Sequence, residues 1–155
     1  MRFTSTRNRT LNTSVIDAIC ICMLTDVGLY VPCETEDLRK WISYIDENTT
    51  FTSIAGTLTS AFLHEELSPV ICETIASRAF QFSPEIKQID ENLFLLELNK
   101  GPTGSQKDFG VSFLINTLET YFQWKGGNAV FCDVTTGHLG AMISKLLKGK
   151  KYLKA

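Results

Sequence analysis

The apolar spacing of this chain changes near residue 84, and this change most constrains its fold. Before it, apolar residues recur every three or four positions, as they do in amphipathic helices. After it, short apolar runs alternate with helical stripes, a pattern typical of strand–helix units in a parallel sheet. We therefore expect an α/β protein, with a helical N-terminal domain over residues 1–83 and the beginning of a parallel α/β domain over residues 84–155.

Four helices are predicted in the first of these domains, and their apolar stripes are interpreted as core. Ser68-Pro69 is the clearest start, because serine caps helices and proline is favoured in their first turn. The expected segments are Val15 to Met23 behind a cap at Thr13 or Ser14, about Glu36 to Ile45, Thr52 or Ser53 to Phe62, and Pro69 to Ala79. The second helix is expected to bury Leu38, Trp41, Ile42 and Ile45.

Strands and helices alternate in the second domain. The run from Leu93 to Leu98 suits a strand buried on both faces, and residues 129–134 suit a second one. An alternating segment at 85–90 precedes the first strand, and a glycine-rich loop at 101–107 follows it. Next come a helix with its apolar stripe from Val111 to Phe122 and the second strand. The predicted order ends with a helix to about Leu147 and the start of a strand at Tyr152-Leu153. Two or three parallel strands cannot cover both of their own faces. We therefore expect this domain to be cut off near its beginning.

Charge and hydropathy exclude two classes of partner. The net charge is −2, whereas nucleic-acid binding needs a concentrated basic face. Apolar stretches such as Val15 to Leu24 are shorter than the roughly 20 residues of a membrane span. Residues 1–7 are polar and lack the apolar run of a secretory signal. We expect a cytoplasmic protein that binds neither nucleic acid nor membrane.

The cysteines and histidines predict no metal site. The five cysteines are scattered without a CxxC pair, and His64 and His138 are the two histidines of the sequence. Zinc needs four ligands at regular spacing, which this pattern does not offer. We interpret the cysteines as buried free thiols.

The loop at 101–110 is the richest candidate for chemistry, because ligands bind between strand ends and helix starts in open α/β sheets. It is not a Walker-type phosphate loop, since Lys107 lies between Gln106 and Asp108. Partial burial in the first turn of a helix favours the neutral amine, which Schiff-base chemistry with an aldehyde cofactor requires. The alternative from the residues alone is a solvated Lys107, with Asp108 complementing the helix dipole.

Five segments of the sequence carry a family resemblance. The most specific is Leu96-Glu97-Leu98 followed by Gly101-Pro102-Thr103-Gly104-Ser105-Gln106-Lys107-Asp108-Phe109-Gly110. The others are Met1 to Arg7, Asp26 to Pro32, Asp90 to Leu93 and Val134 to Gly140. In this order and spacing they resemble the threonine synthase family, whose pyridoxal-phosphate lysine lies in a segment similar to the first. The resemblance covers essentially the whole chain.

The resemblance implies a helical N-terminal domain followed by the truncated start of a fold-type-II parallel α/β sheet that binds pyridoxal 5'-phosphate (PLP). The family converts O-phospho-L-homoserine and water to L-threonine and phosphate. By matching position, Lys107 is implied as the catalytic lysine, which binds PLP as a Schiff base and shuttles protons at the substrate carbons. Cofactor contacts are implied for Lys107, Thr136, Gly137, His138, Leu139 and Gly140.

Three residues depart from the family pattern. Gln106 stands where the family has an aromatic or other apolar residue, His138 where it has an acid or amide, and Leu139 where it has a small hydroxyl residue. Family members are also much longer, and their phosphate-binding loop lies beyond the matched part. We expect no catalysis by these residues alone, and a need for the remainder of the enzyme or a second protein chain. The alternatives are a non-catalytic remnant or interaction module that pairs through its open sheet edge, and an unrelated α/β ligand-binding protein.

Overall fold

The computed structural model describes residues 1–135 and 137–155 of the chain. These residues form two compact units. The first unit contains Met1–Thr49 and Ile54–Glu73, and the second contains Thr50–Ser53 and Thr74–Ala155. Helices and strands are mixed along the chain, which confirms the predicted α/β class.

The first unit combines a small antiparallel sheet with helices. Strand β1 (Phe3–Ser5) pairs with β2 (Tyr30–Pro32), and Thr4 lies opposite Val31. The helices are α1 (Val15–Ile21), α2 (Arg39–Ile42), most of α3 (Phe51–Leu63) and the beginning of α4 (Pro69–Ala79). The N-terminal ammonium of Met1 donates to the Glu65 carboxylate at 3.0 Å, which ties the start of the chain to the residues after α3.

Two of the predicted helix starts are confirmed, and the start of α3 lies earlier than the Thr52 or Ser53 that was predicted. The Ser14 hydroxyl accepts an amide hydrogen of α1 at 2.9 Å. The Thr50 hydroxyl accepts from the Ser53 amide at 3.2 Å, so α3 begins at Phe51, slightly earlier than expected. Helix α4 begins at Pro69 as predicted. The two hydroxyl groups satisfy amides that have no partner within their own helix. The inward face of α4 is buried at Cys72, Ile75, Ala76 and Ala79.

The first two helices are shorter and more exposed than predicted. The expected helix from Glu36 to Ile45 is reduced to α2, none of whose residues is buried. Leu38 precedes it and has no side chain that can cap it. Helix α1 ends at Ile21, before Met23, and both Cys20 and Met23 are exposed. The first turn of a helix fixes several residues for each hydrogen bond that it forms, so helices with little packing are marginal. This explains why both helices are shorter than predicted.

The second unit contains an antiparallel hairpin. Strand β3 (Glu85–Asp90) pairs with β4 (Leu93–Glu97) across a two-residue turn, and Ile86 lies opposite Leu96. The prediction that β4 is buried on both faces was wrong, since Phe94 is 59% exposed and Leu96 is 54% exposed. The apolar run was interpreted as a central parallel strand, but the short turn folds it back onto β3 instead.

The parallel pairing lies near the end of the second unit. Helix α5 (Lys107–Lys125) stops at Gly126 and is followed by β5 (Ala129–Val130), α6 (His138–Leu147) and β6 (Leu153–Lys154). Strands β5 and β6 are parallel, which confirms the strand start predicted at Tyr152-Leu153. The strand predicted over 129–134 is shorter and exposed, with Val130 at 63%. It pairs with β6, whereas β4 pairs with β3 in a separate two-stranded sheet.

Buried polar side chains join the segment before β6 to α5. The Ser112 hydroxyl donates to the Ala79 carbonyl at 2.6 Å, and the Asn116 side-chain amide donates to the Ser112 carbonyl at 2.8 Å. Lys150 Nζ donates to Asn116 Oδ1 at 2.7 Å, and its partial burial lowers the pKa of this lysine. The Glu119 carboxylate accepts from two backbone amides just before β6. These bonds fix β6, and with it the parallel pair, against α5.

All five cysteines are free thiols, but the prediction that they are buried was wrong for four of them. Cys72 is buried in α4, whereas the exposed thiols lie at the end of α1 or in loops, at Cys20, Cys22, Cys33 and Cys132. Residues 1–135 and 137–155 contain no cluster of three or more His, Cys, Asp or Glu side chains that could hold a metal. No helix in the described part of the chain has the length and apolar character of a membrane span.

Candidate active site

A buried carboxylate closes the loop between β4 and α5. Asp108 is fully buried, and its two oxygens accept hydrogen bonds from the Thr103 amide at 2.8 Å and the Thr103 hydroxyl at 2.6 Å. Gly101 lies so close to this carboxylate that a Cβ at position 101 would overlap it. The loop therefore depends on a residue without a side chain at 101 and on an acceptor at 108.

A turn inside this loop leads into the helix. Gly104 has φ +72°, which glycine adopts without steric cost, and its amide donates to the Gly101 carbonyl at 3.1 Å. The Ser105 carbonyl accepts from the Asp108 amide at 3.0 Å, and the Ser105 hydroxyl accepts from the Lys107 amide at 3.3 Å. The backbone of Lys107 is thus held on both sides.

Lys107 is the first residue of α5 and is exposed. The prediction that this lysine is partly buried was wrong for the described residues. Strand β4 was expected to lie in a covered sheet, but it lies in an exposed hairpin. The next two residues are anchored, since Asp108 is buried and the Phe109 ring lies 4.9 Å from that of Phe82 and 5.8 Å from that of Phe51. The site therefore presents an exposed amine on a fixed backbone.

The turn before α6 is shaped by a threonine that the sequence analysis missed. The Thr135 hydroxyl accepts from the Gly137 amide at 3.3 Å and the Gly140 amide at 3.4 Å. A Cβ at Gly140 would overlap the Thr135 methyl group. Thr136, one of the predicted cofactor contacts, lies outside the described residues. A hydroxyl residue just ahead of two glycines at a helix start is the signal that points to such a cap.

An open cleft of about 540 Å³ has one of the predicted site residues, His138, in its described lining. It is lined by Leu95, Leu96, Glu97, Leu98, Asn99, Gly104, Ser105, Gln106 and His138. Two residues that depart from the family pattern, Gln106 and His138, therefore lie at one cleft beside Lys107. Lys107, Gly137 and Leu139 do not line it, and Gly140 lines a separate cavity of about 390 Å³ with Thr135.

An ionic network lies at the base of the hairpin and at the rim of the cleft. Lys87 Nζ donates to the Glu97 carboxylate at 2.8 Å, which with Lys100 holds the pKa of Glu97 below its ordinary value. Lys100 also lies 2.9 Å from Glu85 and 3.4 Å from Glu97, and these carboxylates raise its pKa, Glu85 most strongly. The network keeps Glu97 anionic. The sequence analysis did not identify it, because its members are brought together by the register of the hairpin.

The arrangement suits an aldehyde reagent that can accept hydrogen bonds. An exposed primary amine can form a carbon–nitrogen double bond with an aldehyde. The cleft beside it has the volume of a small-molecule site, and Ser105, Gln106 and His138 supply hydrogen-bonding side chains. Glu97 is paired with Lys87 and Lys100, and the described lining of the cleft contains no lysine or arginine that could hold a phosphate group. The described residues therefore offer an amine for the aldehyde of such a cofactor and do not complete a phosphate site.

Comparisons with known proteins agree on one family. A family model described as "Threonine synthase N terminus" matches residues 2–80. The threonine synthase of Pseudomonas aeruginosa is 25% identical over 91% of this chain and 31% of its own length. That of Schizosaccharomyces pombe is 29% identical over 96% of this chain and 32% of its own length.

Two solved structures show the same fold. The PLP-bound threonine synthase from Brucella melitensis superposes with a TM-score of 0.86 and 24% identity, over 99% of this chain and 34% of that one. Yeast threonine synthase gives a TM-score of 0.83 and 24% identity, over 98% and 34%. The chain spans about a third of the length of the curated relatives it matches. The family model matches the first half of this chain, and the solved structures match the fold of nearly all of it. This chain therefore belongs to the threonine synthase family and corresponds to the N-terminal portion of its members.

Proposed function

We propose that this chain forms the N-terminal part of a threonine synthase, a PLP-dependent lyase that converts O-phospho-L-homoserine and water to L-threonine and phosphate. Residues 1–83 form its N-terminal helical domain, and residues 84–155 begin its catalytic domain. The observation that carries the proposal is the exposed side chain of Lys107 at the start of α5, directly after Gln106, which lines the open cleft.

Lys107 is assigned two roles in this proposal. Its amine holds the cofactor, and it takes and returns protons at the substrate carbons. PLP, when bound, supplies an electron sink that stabilises negative charge on those carbons. A lysine suits both roles because its flexible side chain extends from a backbone that the loop holds fixed.

The turn before α6 is assigned the remaining cofactor contacts, through Thr136, Gly137, His138, Leu139 and Gly140. His138 has the strongest support, because it lines the cleft together with Gln106. Gly137 and Gly140 give the turn its shape, since their amides donate to the Thr135 hydroxyl.

The chain is proposed to be inactive by itself. O-phospho-L-homoserine and PLP both carry phosphate, whereas the described lining of the cleft contains no lysine or arginine. Phosphate binding therefore needs amide or cationic groups from the remainder of the enzyme or from a second protein chain. A cytoplasmic location is part of the proposal, because the exposed thiols Cys20, Cys22, Cys33 and Cys132 stay reduced in such a compartment.

A second candidate function is that of a non-catalytic interaction module. Its support is the hairpin β3–β4, whose apolar residues are exposed and whose outer strand edges are unpaired within the described sheets. An edge of this kind pairs readily with a strand of another chain. This function requires neither Lys107 nor the cleft.

Trapping of the cofactor tests the assignment of Lys107. The purified chain is incubated with PLP, reduced with borohydride and mapped by peptide mass spectrometry. We expect trapping at Lys107 in preference to other exposed lysines, and its loss in Lys107→Ala. The matched control is Lys125→Ala, which removes an exposed lysine from the other end of the same helix and leaves trapping at Lys107 unchanged. Equal labelling of Lys107 and Lys125 in the unaltered chain contradicts the assignment.

Turnover separates the enzyme from the interaction module. Residues 1–155 are joined to the part of the Pseudomonas aeruginosa relative that lies beyond the matched region, and phosphate release from O-phospho-L-homoserine is measured. The enzyme function predicts release that Lys107→Ala abolishes and Lys125→Ala retains. The module function predicts a folded joined chain with no release.

A further inference from the structure

We propose that Asp108 is a positioning residue, which with Thr103 holds the backbone of Lys107 in the orientation that cofactor attachment needs. The pair is called the Thr103–Asp108 clasp. The inference rests on the proposed function of Lys107, and it adds the device by which the loop aims that lysine.

The first step concerns the cost of burying Asp108. This side chain is completely buried, and no ion pair to it occurs within residues 1–135 and 137–155. A buried carboxylate without a cation is costly unless hydrogen bonds satisfy it. The Thr103 amide and hydroxyl satisfy one oxygen each, and the N-terminal end of α5 favours a negative charge there. Because burial of this carboxylate is unfavourable and its hydrogen bonds are specific, we infer that it serves to fix the conformation of the loop.

The second step concerns what the clasp closes. Its two hydrogen bonds join positions 103 and 108, so Lys107 lies inside a small ring of backbone. Gly101 packs against the carboxylate with no space for a Cβ, and Gly104 turns the chain at φ +72°. The Ser105 hydroxyl accepts from the Lys107 amide within the same ring. Rotation of the Lys107 backbone would therefore break at least one of these contacts.

The third step concerns the surroundings of the ring. Phe109, next to Asp108, packs edge-on against the Phe82 ring at 4.9 Å. On the other side, Lys145 Nζ of α6 donates to the Pro102 carbonyl at 3.0 Å. The loop is thus held through Phe109 by the Phe82 ring and through Pro102 by the helix that begins at His138. The side chain of Lys107 stays exposed while its backbone is fixed, which favours attachment in one orientation over the cleft.

The test uses the 155-residue chain with PLP as the probe. Thr103→Val keeps the shape and the amide and removes the hydroxyl donor, whereas Thr103→Ser keeps the donor. Asp108→Asn removes the charge and keeps the shape. The matched control is Asp133→Asn, an exposed aspartate of the same unit. The first readout is the borohydride-trapped fraction at Lys107. The second is the circular dichroism signal in the visible absorption band of PLP before reduction, because an achiral cofactor gives such a signal only when the protein holds it in one orientation.

We expect Thr103→Val and Asp108→Asn to lower both readouts by about tenfold, because each removes a charge-assisted hydrogen bond. Thr103→Ser and Asp133→Asn retain the signal of the unaltered chain. Tryptophan fluorescence and the urea midpoint report whether the fold is kept. Absence of trapping at Lys107 both in the unaltered chain and in the joined chain described above overturns the proposed function. Trapping that survives in Thr103→Val and Asp108→Asn, or that is lost equally in Thr103→Ser, overturns the clasp alone.

Discussion

Substitution of Gly101 by alanine tests the packing of the candidate site most directly. A Cβ at this position overlaps the Cβ, Cγ and Oδ2 atoms of Asp108, so the carboxylate must move away from Thr103. Two hydrogen bonds to a charged group are then weakened, and each contributes about 1.5–3 kcal/mol. The backbone of Gly101 is not in the left-handed region. Alanine can therefore adopt its conformation, and it stabilises the folded state by about 0.4–1 kcal/mol because it lowers the conformational entropy of the unfolded chain.

The expected net effect is a loss of about 2–4 kcal/mol in the free energy of unfolding, since the loop relaxes in part and keeps some of each bond. Urea denaturation followed by Trp124 fluorescence in a Trp41→Phe background measures it. Gly110→Ala is the matched control, because Gly110 lies in α5 and a methyl group there would have no neighbouring atom within 4 Å. That variant should gain about 0.5–1 kcal/mol from helix propensity. A Gly101→Ala midpoint equal to that of the unaltered chain, or an equal loss in Gly110→Ala, refutes the reasoning.

Two further predictions concern titratable groups. Burial raises the pKa of the Cys72 thiol to about 11. Titration with a thiol reagent should therefore detect four reactive cysteines in the native chain and the fifth only after unfolding in urea. A fifth rapidly reacting thiol in the native chain contradicts this prediction. The N-terminal ammonium lowers the pKa of Glu65, so the stability that Glu65 contributes is present above its ordinary pKa of 4.5 and is lost as the pH falls through the lower folded value. The urea midpoints of the unaltered chain and of Glu65→Gln should therefore differ near neutral pH and converge in acid, and a difference that persists in acid is inconsistent with the ion pair.

The helical part of the fold could be predicted where local signals agree. Ser14 and Pro69 mark helix starts through their own chemistry, and the stripe of α4 is buried as its spacing predicts. The hairpin could not be predicted in the same way. An apolar run such as β4 fits a covered parallel strand and an exposed hairpin strand equally well, and the pairing partner decides between them.

The candidate site divides along a similar line. Lys107 could be identified because the residues around it resemble a known segment, and that assignment stays a prediction. The clasp partner Thr103 and the turn-shaping Thr135 were missed, since each acts through a hydrogen bond whose existence depends on loop conformation. The ion pair of Lys87 with Glu97 was missed because it depends on strand register. Residue type alone does not encode such contacts.

The hairpin β3–β4 has a practical consequence for work on the purified chain. Ile86 is 72% exposed, and large apolar side chains continue along β4. Unpaired strand edges beside such a surface promote stacking between molecules as concentration rises. Concentration is therefore an experimental variable in its own right, and light scattering should accompany each spectrum and each denaturation curve.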